Sequence, residues 1–386
     1  MKPEEFDAEC PGELVPIPEG PPETLAYVPH PLPRALPLSS RTIRLLTGAE
    51  QAIGRLDGRM QTGFNPFLIA RPLLRREALI SSRMEGTKTT AARLVSLEAG
   101  EPTADAETRE VSNYMVALNH GHDLLQQLPV CLRLIRAVHE RLLSGVRGER
   151  EAPGRFRSIQ NYIGHGSIAD ARFIPPPPSA LEPLLRDLEA FLNTGDEDAL
   201  PLLVRLAMAH YQFETIHPFG DGNGRVGRLL VPLSLEAEEY LSQPTLYVSS
   251  FFERRKRAYT DLMLAVSQRG AWETWIQFFL EALAESARES ESQANALVAL
   301  RASYQERFHQ ARNSALTLKL VDSLFDMPIL NTTRVQTLLD VSPATAGKHI
   351  QRLEEEGIIK EVTGRQRDRE YLATQVLDLI DVEESS

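Results

Sequence analysis

The sequence predicts a mainly α fold: a helical bundle with one short β-hairpin, then a small C-terminal module of helix, turn, helix and two-stranded wing. Three observations predict it. Apolar residues recur at i, i+3, i+4 and i+7 in several stretches, the spacing of a buried helical face. That texture breaks over residues 155–175, where short apolar runs alternate around Gly164 and Gly166. Near residue 312 the pattern changes again into short, well-punctuated segments.

In chain order, ten of the 26 prolines fall within the first 37 residues, which predicts an extended arm wrapping other elements. From Ser39 the pattern is helical, and little strand signal exists before residue 150. Leu184, Leu185, Leu188, Phe191 and Leu192 form one helical face. Val226, Leu229, Leu230 and Leu233 form a second, on a helix expected to begin near Gly224. Trp272, Trp275, Ile276, Phe279, Leu280 and Leu283 form a third. Between the flanking helices, Gln160 to Ile174 reads as a hairpin, and Pro175 to Pro178 as a stiff spacer. In the tail, Leu330–Asp340 and Ser342–Glu356 read as helices. Ser342-Pro343 starts the second and Gly357 stops it. Residues 358–362 and 370–372 then flank a polar turn as the wing. The division expected is 1–100 for the arm and first helices, 101–290 for the core, and 291–386 for a helical linker and the module.

Composition narrows the class. Hydrophobic residues at 42% and charged residues at 25% suit a globular protein with a substantial core. No run approaches the roughly 20 apolar residues of a membrane helix, and the acidic start Met1 to Asp7 lacks the apolar core of a secretory signal. A cytoplasmic protein without membrane attachment is expected. Cys10 and Cys131 stand at no metal-ligand spacing, which speaks against a zinc or disulfide framework. A net charge of −11 speaks against broad nucleic-acid coating.

The chemistry concentrates in His217-Pro-Phe-Gly-Asp-Gly-Asn-Gly-Arg-Val-Gly-Arg228. His217 is a general-base candidate, because an unperturbed imidazole is largely neutral at pH 7. Asp221 is a hard oxygen ligand suited to Mg²⁺. Gly222 and Gly224 remove side chains where backbone N–H groups can face phosphate oxygens at a helix start. Asn223 donates, accepts and tolerates a left-handed backbone. Arg225 and Arg228 are candidate phosphate clamps. Each residue alone has an ordinary structural explanation, and the embedded G-x-G-x-x-G lacks the preceding strand of a dinucleotide fold. The conjunction does not.

The stretch resembles the signature of the Fic family, His-Pro-Phe-x-(Asp/Glu)-Gly-Asn-Gly-Arg-x-x-Arg, at all nine specified positions. The resemblance implies a Fic-type helical bundle that transfers AMP from ATP to a Ser, Thr or Tyr hydroxyl of a protein, which can be the chain itself. It makes His217 the base, Asp221 the Mg²⁺ ligand, the turn with Asn223 the anion hole and Arg228 the γ-phosphate ligand. Ser81-Ser-Arg-Met-Glu85-Gly86 is similar to the family's inhibitory motif. By that resemblance Ser81 and Glu85 share a helical face and Glu85 pairs with Arg228, blocking the γ-phosphate site. The same glutamate is compatible with the reverse reaction, hydrolysis of AMP from a modified protein. The hairpin matches the family's target-docking flap, with Gln160, Tyr162, Ile168 and Phe173 as candidate contacts. By analogy the adenine pocket falls in Tyr247 to Tyr259, where Glu253-Arg-Arg-Lys-Arg257 is unexpectedly basic.

The tail resembles a winged-helix domain. DNA reading would place Arg365, Arg367 and Arg369 on phosphates, but Ser342 to Tyr371 holds six basic and six acidic residues. Protein interaction or homodimerisation needs no such charge and is slightly favoured. Two rivals to the adenylyltransferase remain: a nucleotide-sensing transcriptional regulator, and the same fold with a phosphate, UMP or phosphocholine donor.

Overall fold

The computed structural model describes residues 1–17, 24–61, 67–100, 105–164, 166–194, 200–308 and 314–381. Part of the proline-rich arm and His165 of the expected hairpin lie outside them. The chain forms two compact units, Met1–Asp57 with Asn113–Arg288, and Gly58–Ser112 with Glu289–Ser386.

In chain order the elements are β1 (Gly12–Pro16), β2 (Leu25–Pro29), α1 (Ser40–Gln61), α2 (Phe67–Met84) and α3 (Ala91–Glu98). There follow α4 (Ala106–Leu125), α5 (Leu132–Leu143), α6 (Leu181–Leu192), α7 (Leu202–Ile216) and α8 (Asn223–Ala237). Next come α9 (Ser249–Arg254), α10 (Lys256–Arg269), α11 (Trp272–Glu306) and α12 (Ser314–Asp326). The tail adds β3 (Ile329–Leu330), α13 (Thr332–Leu339), α14 (Pro343–Glu355), β4 (Lys360–Glu361), β5 (Tyr371–Leu372) and α15 (Thr374–Ile380).

In the first unit the expected helical faces are buried. Val226, Leu229 and Leu233 of α8 lose all solvent contact, as do Phe279, Leu280 and Leu283 of α11. Each such side chain contributes about 1.5–3 kcal/mol of apolar burial. Trp275 completes the core by donating its indole N–H to Ala207 O at 2.7 Å. The arm corrects one expectation: β1 and β2 form an antiparallel ladder from Gly12↔Pro29 to Pro16↔Leu25. The strands went unnoticed because prolines dominate the region, yet Pro16 and Pro29 sit at strand ends, where a missing N–H is tolerated.

Among the described residues the expected hairpin shrinks to one bridge, Ile163↔Phe173, enclosing a 3-10 turn over Ile168–Asp170. Its base is anchored on the arm. Tyr27 N donates to Ile174 O at 2.9 Å, and Ala171 and Ile174 cluster with Ile17 and Ala26.

The second unit gathers α2 and α3 with the tail. Buried Arg75 donates to Glu98 Oε2 at 2.7 Å, and Arg71 bonds Glu98 at 3.1 Å and Asp326 at 2.8 Å. These ties join α2 to α3 and to α12, which is distant in sequence, within one unit. In the tail, Ser342 Oγ caps α14 by accepting from Thr345 N, and Gly357 ends that segment with φ 66°. β4 and β5 pair antiparallel, and β3 adds a third strand in the order β3-β5-β4, which the sequence reading lacked. Among the described residues no helix is long and apolar enough to cross a membrane.

Candidate active site

His217 terminates α7. Pro218 supplies no N–H and disfavours helical geometry at the residue before it, so the chain must turn here. His217 takes φ 50°, a left-handed conformation that is uncommon outside glycine and needs outside support. The support is visible. His217 N donates to Phe213 O at 3.0 Å, and Nδ1 lies 3.2 Å from Glu214 O. A carbonyl only accepts, so Nδ1 carries the proton and Nε2 holds the lone pair of a base. Arg157 Nε donates to His217 O at 2.9 Å.

Across the turn, Gly222 is the N-cap of α8 with φ 79°, a conformation that requires glycine. The first turn of α8 leaves its amides without an acceptor inside the helix and places the positive end of the helix dipole at the loop. Asn223 has a different role from the one its motif implies. It accepts from Phe219 N and donates to Phe219 O, both at 2.9 Å, so its amide ties the loop closed. The groups of this turn left to receive an anion would be the backbone amides at the start of α8. Arg225 also changes role: with 0% of its side chain exposed it lies 3.6 Å from Asp221 Oδ1. A guanidinium without exposed surface cannot touch a phosphate in this conformation; it faces the Asp221 carboxylate at 3.6 Å. Arg228 is buried on the same helix.

Asp221 Oδ1 accepts from Gly222 N at 2.6 Å. Its carboxylate borders a cleft of about 600 Å³ lined by residues 146–151 with Gly220 and Asp221. Two glycines keep the surroundings clear. A Cβ at Gly148 would stand 2.9 Å from Asp221 Oδ2, and one at Gly220 would stand 2.7 Å from Glu151 Oε2.

Sequence reasoning missed three supporting residues. His139 on α5 accepts from Gly154 N through Nδ1 at 2.9 Å, so its Nε2–H donates to Asp221 O at 3.0 Å. Its ring stacks on Phe219 at 3.7 Å, and burial pushes its pKa down to about 4. His210 on α7 sits 3.2 Å from Gly227 O and 2.9 Å from Tyr259 Oη. Burial, aided by the Arg228 charge, lowers its pKa to about 3. Arg157 is the most connected. Besides His217 O it donates to Ile159 O at 3.1 Å, Pro176 O at 2.5 Å and Ile216 O at 3.4 Å. Burial alone lowers its pKa, to about 10, still well above neutrality. The only advance signal was the arginine's place beside the hairpin.

The flap candidates divide. Gln160 braces the base, donating to Asn161 O and Pro175 O at 2.9 Å. Phe173 packs 5.7 Å from the Tyr27 ring and Ile168 lies against the arm cluster. Tyr162 is exposed, its hydroxyl donating to Gly166 O at 2.7 Å. The basic run at 253–257 is tied down, Arg254 and Arg255 meeting Glu285 at 2.9 and 3.1 Å.

In the other unit, Ser81 is buried in α2, which ends at Met84. Glu85 therefore stands one residue past the helix rather than on its face. Its N–H donates to Ser82 O at 3.1 Å, and Gly86 closes the turn with φ 90°.

The first unit is thus helical, and the His217 imidazole, the Asp221 carboxylate and the first amides of α8 share one turn in it. Residues 43–123 match the Fic/DOC family N-terminal model and residues 129–235 the Fic/DOC family model. The chain belongs to the Fic family. It is 29% identical over 187 residues to the protein adenylyltransferase Fic of Drosophila grimshawi, covering 47% of this chain and 36% of that one. The same-named protein of Drosophila mojavensis is 30% identical over 187 residues, covering 47% and 34%. The match thus spans about a third of these curated relatives. A Fic family protein from Desulfovibrio desulfuricans G20 shares the fold at a TM-score of 0.57 and 23% identity, covering 89% of this chain and 98% of that structure.

Proposed function

We propose that the chain is a protein adenylyltransferase, moving AMP from ATP to a Ser, Thr or Tyr hydroxyl of another protein or of itself in the cytoplasm. The observation that carries this reading is the arrangement around one turn: a lone-pair Nε2 on His217, the Asp221 carboxylate and the first turn of α8. His217 Nε2 would take the hydroxyl proton as the oxygen attacks the α-phosphorus. The new P–O bond forms as the bond to the β-phosphate's bridging oxygen breaks, and pyrophosphate leaves. The amides and dipole of α8 would hold phosphate oxygens, so positioning and charge supply most of the rate.

Asp221 fits a Mg²⁺ ligand: a carboxylate at a cleft, flanked by Gly148 and Gly220, with space for waters and phosphate oxygens. The ion would neutralise phosphate charge. Glu85, just beyond α2, would restrain the reaction by pairing with Arg228 and excluding the γ-phosphate.

The test is label transfer from α-³²P-ATP with Mg²⁺ in wild type, Glu85→Gly and Glu85→Gly/His217→Ala. Labelling raised by the first change and abolished by the second supports the restrained transferase; no labelling in any variant overturns it. A second reading rests on one observation: Arg365, Arg367 and Arg369 are exposed on the turn between β4 and β5, as in a winged-helix DNA reader. Tight, sequence-dependent gel-shift binding would favour a nucleotide-sensing regulator.

A further inference from the structure

Successive carbonyls at residues 216 to 219, from the end of α7 into the signature, all accept from one short segment leading into the flap. Arg157 supplies three of these bonds. Its Nη2 donates to Ile216 O at 3.4 Å, its Nε to His217 O at 2.9 Å and its backbone N–H to Pro218 O at 2.9 Å. Asn161 supplies the fourth, Nδ2 donating to Phe219 O at 3.1 Å. The donors advance from 157 to 161 as the acceptors advance from 216 to 219, so the two stretches run side by side.

Asn161 lies nearest the part of the flap that would receive a target. Exposed Tyr162 follows it, and then Ile163, whose N–H and carbonyl both pair with Phe173 at 2.8 and 3.1 Å. The backbone of Asn161 is fixed as well, its carbonyl accepting from Gln160 Nε2 at 2.9 Å. The returning side of the flap is held elsewhere: Arg172 donates to Thr260 Oγ1 at 3.0 Å and pairs with Asp261, both on α10. The acceptor of the Asn161 bond is equally telling. Phe219 stands two residues from His217 and two from Asp221, and its carbonyl also takes the Asn223 Nδ2 bond at 2.9 Å. A carbonyl oxygen has two lone pairs. One serves the bond that closes the turn, the other the bond that ties the flap to it.

We propose that Asn161 is a positioning residue: it sets how the flap stands to the signature turn, so that a docked hydroxyl meets His217 Nε2. This rests on the adenylyltransferase reading with the flap as its docking strand. The bond is neutral and Asn161 only half-buried, so global stability depends on it little, whereas the reach from nucleophile to base is sensitive to about 1 Å. Buried Arg157 anchors the segment, and Asn161 aligns its working end.

The first test needs no transfer. Amide exchange read by mass spectrometry compares the full wild-type chain with Asn161→Ala and with Asn161→Asp, which keeps the shape and replaces the donor by an acceptor. Exchange across residues 160–164 should quicken about tenfold in both, as for the loss of one hydrogen bond, while α7 and α8 exchange as before. The second test takes the Glu85→Gly chain as enzyme, its His217→Ala copy as acceptor and α-³²P-ATP as donor. Adding Asn161→Asp to the enzyme should lower kcat about tenfold, with KM for the acceptor and affinity for ATP nearly constant. Wild-type kcat in that variant, or a change in KM alone, overturns the proposal. If Asn161→Asp does not fold, Asn161→Ala decides by the same readings. If the Glu85→Gly chain labels nothing, the adenylyltransferase reading fails, and amide exchange decides on the tie by itself: unchanged exchange at 160–164 removes it.

Discussion

The signature turn and the flap lie in one compact unit, yet they are held in opposite ways. In the turn, Asn223 satisfies both polar groups of Phe219, Gly222 N is bonded to Asp221, and His139 holds Asp221 O. Among the described residues the flap has one bridge, Ile163↔Phe173; Tyr162 within it and Ile159 just before it are exposed. On the proposed function this loop must fix a base, a carboxylate and an anion site within a fraction of an ångström, and it is over-determined by hydrogen bonds. If the hairpin docks a target segment, as proposed, it gains by leaving its own backbone under-paired. Arg157 joins the two, with His217 O on one side and Ile159 O and Pro176 O, at the two ends of the flap, on the other.

The largest effect is therefore expected at that joint. Arg157→Met would strand buried carbonyls and release the left-handed His217, lowering stability by about 3 kcal/mol in urea unfolding. In a Glu85→Gly background it should also cut transfer about 100-fold, the cost of roughly 1 Å of misplacement. Arg157→Lys should recover part of the stability. Wild-type activity in the Met variant would show that turn and flap are held independently.

An intermediate effect concerns pH. His139, with its pKa lowered to about 4, is neutral in the folded state while the unfolded residue titrates near the ordinary 6.5. The unfolded chain then binds more protons between these values. The contribution is fully present above about 6.5 and is lost as pH falls towards 4, by about 3 kcal/mol at most. His210 acts in the same direction down to about 3. The unfolding midpoint should drop over that window, and His139→Gln should flatten the drop; parallel curves for the two proteins would contradict the assignment.

The smallest effect belongs to the flap tip. Tyr162→Ala removes one exposed side chain and its bond to Gly166 O, so stability should change by less than about 0.5 kcal/mol. If the flap docks the target, KM for a protein acceptor should rise while kcat holds. A fall in kcat at unchanged KM would place Tyr162 in the turn's class instead.

What was legible in advance follows the same division. The twelve-residue signature could be read because its chemistry is contiguous, and α8, α11 and α14 because their periodicity and caps are local. Arg157, His139 and His210 could not, since each acts across a long sequence separation: His139 meets Asp221 O 82 residues away. Gly227 makes the point within the signature. It occupies a position the motif leaves open, yet a Cβ there would stand 2.2 Å from Glu214 Oε1. The β1–β2 hairpin stayed hidden because composition announced prolines, whereas only pairing shows that two of them fall at strand ends.

By itself the sequence determined the helical class, the family and the chemical inventory of the turn, because these rest on residue identity, short spacing and periodicity. Only the tertiary structure decided which members of that inventory border open space. Asn223 and Arg225 turn inward as supports, leaving Gly220 and Asp221 beside the cleft. The reason is that burial and hydrogen-bond satisfaction are properties of the packed neighbourhood, and α5, α7, α8 and the segment around Arg157 create that neighbourhood only by coming together.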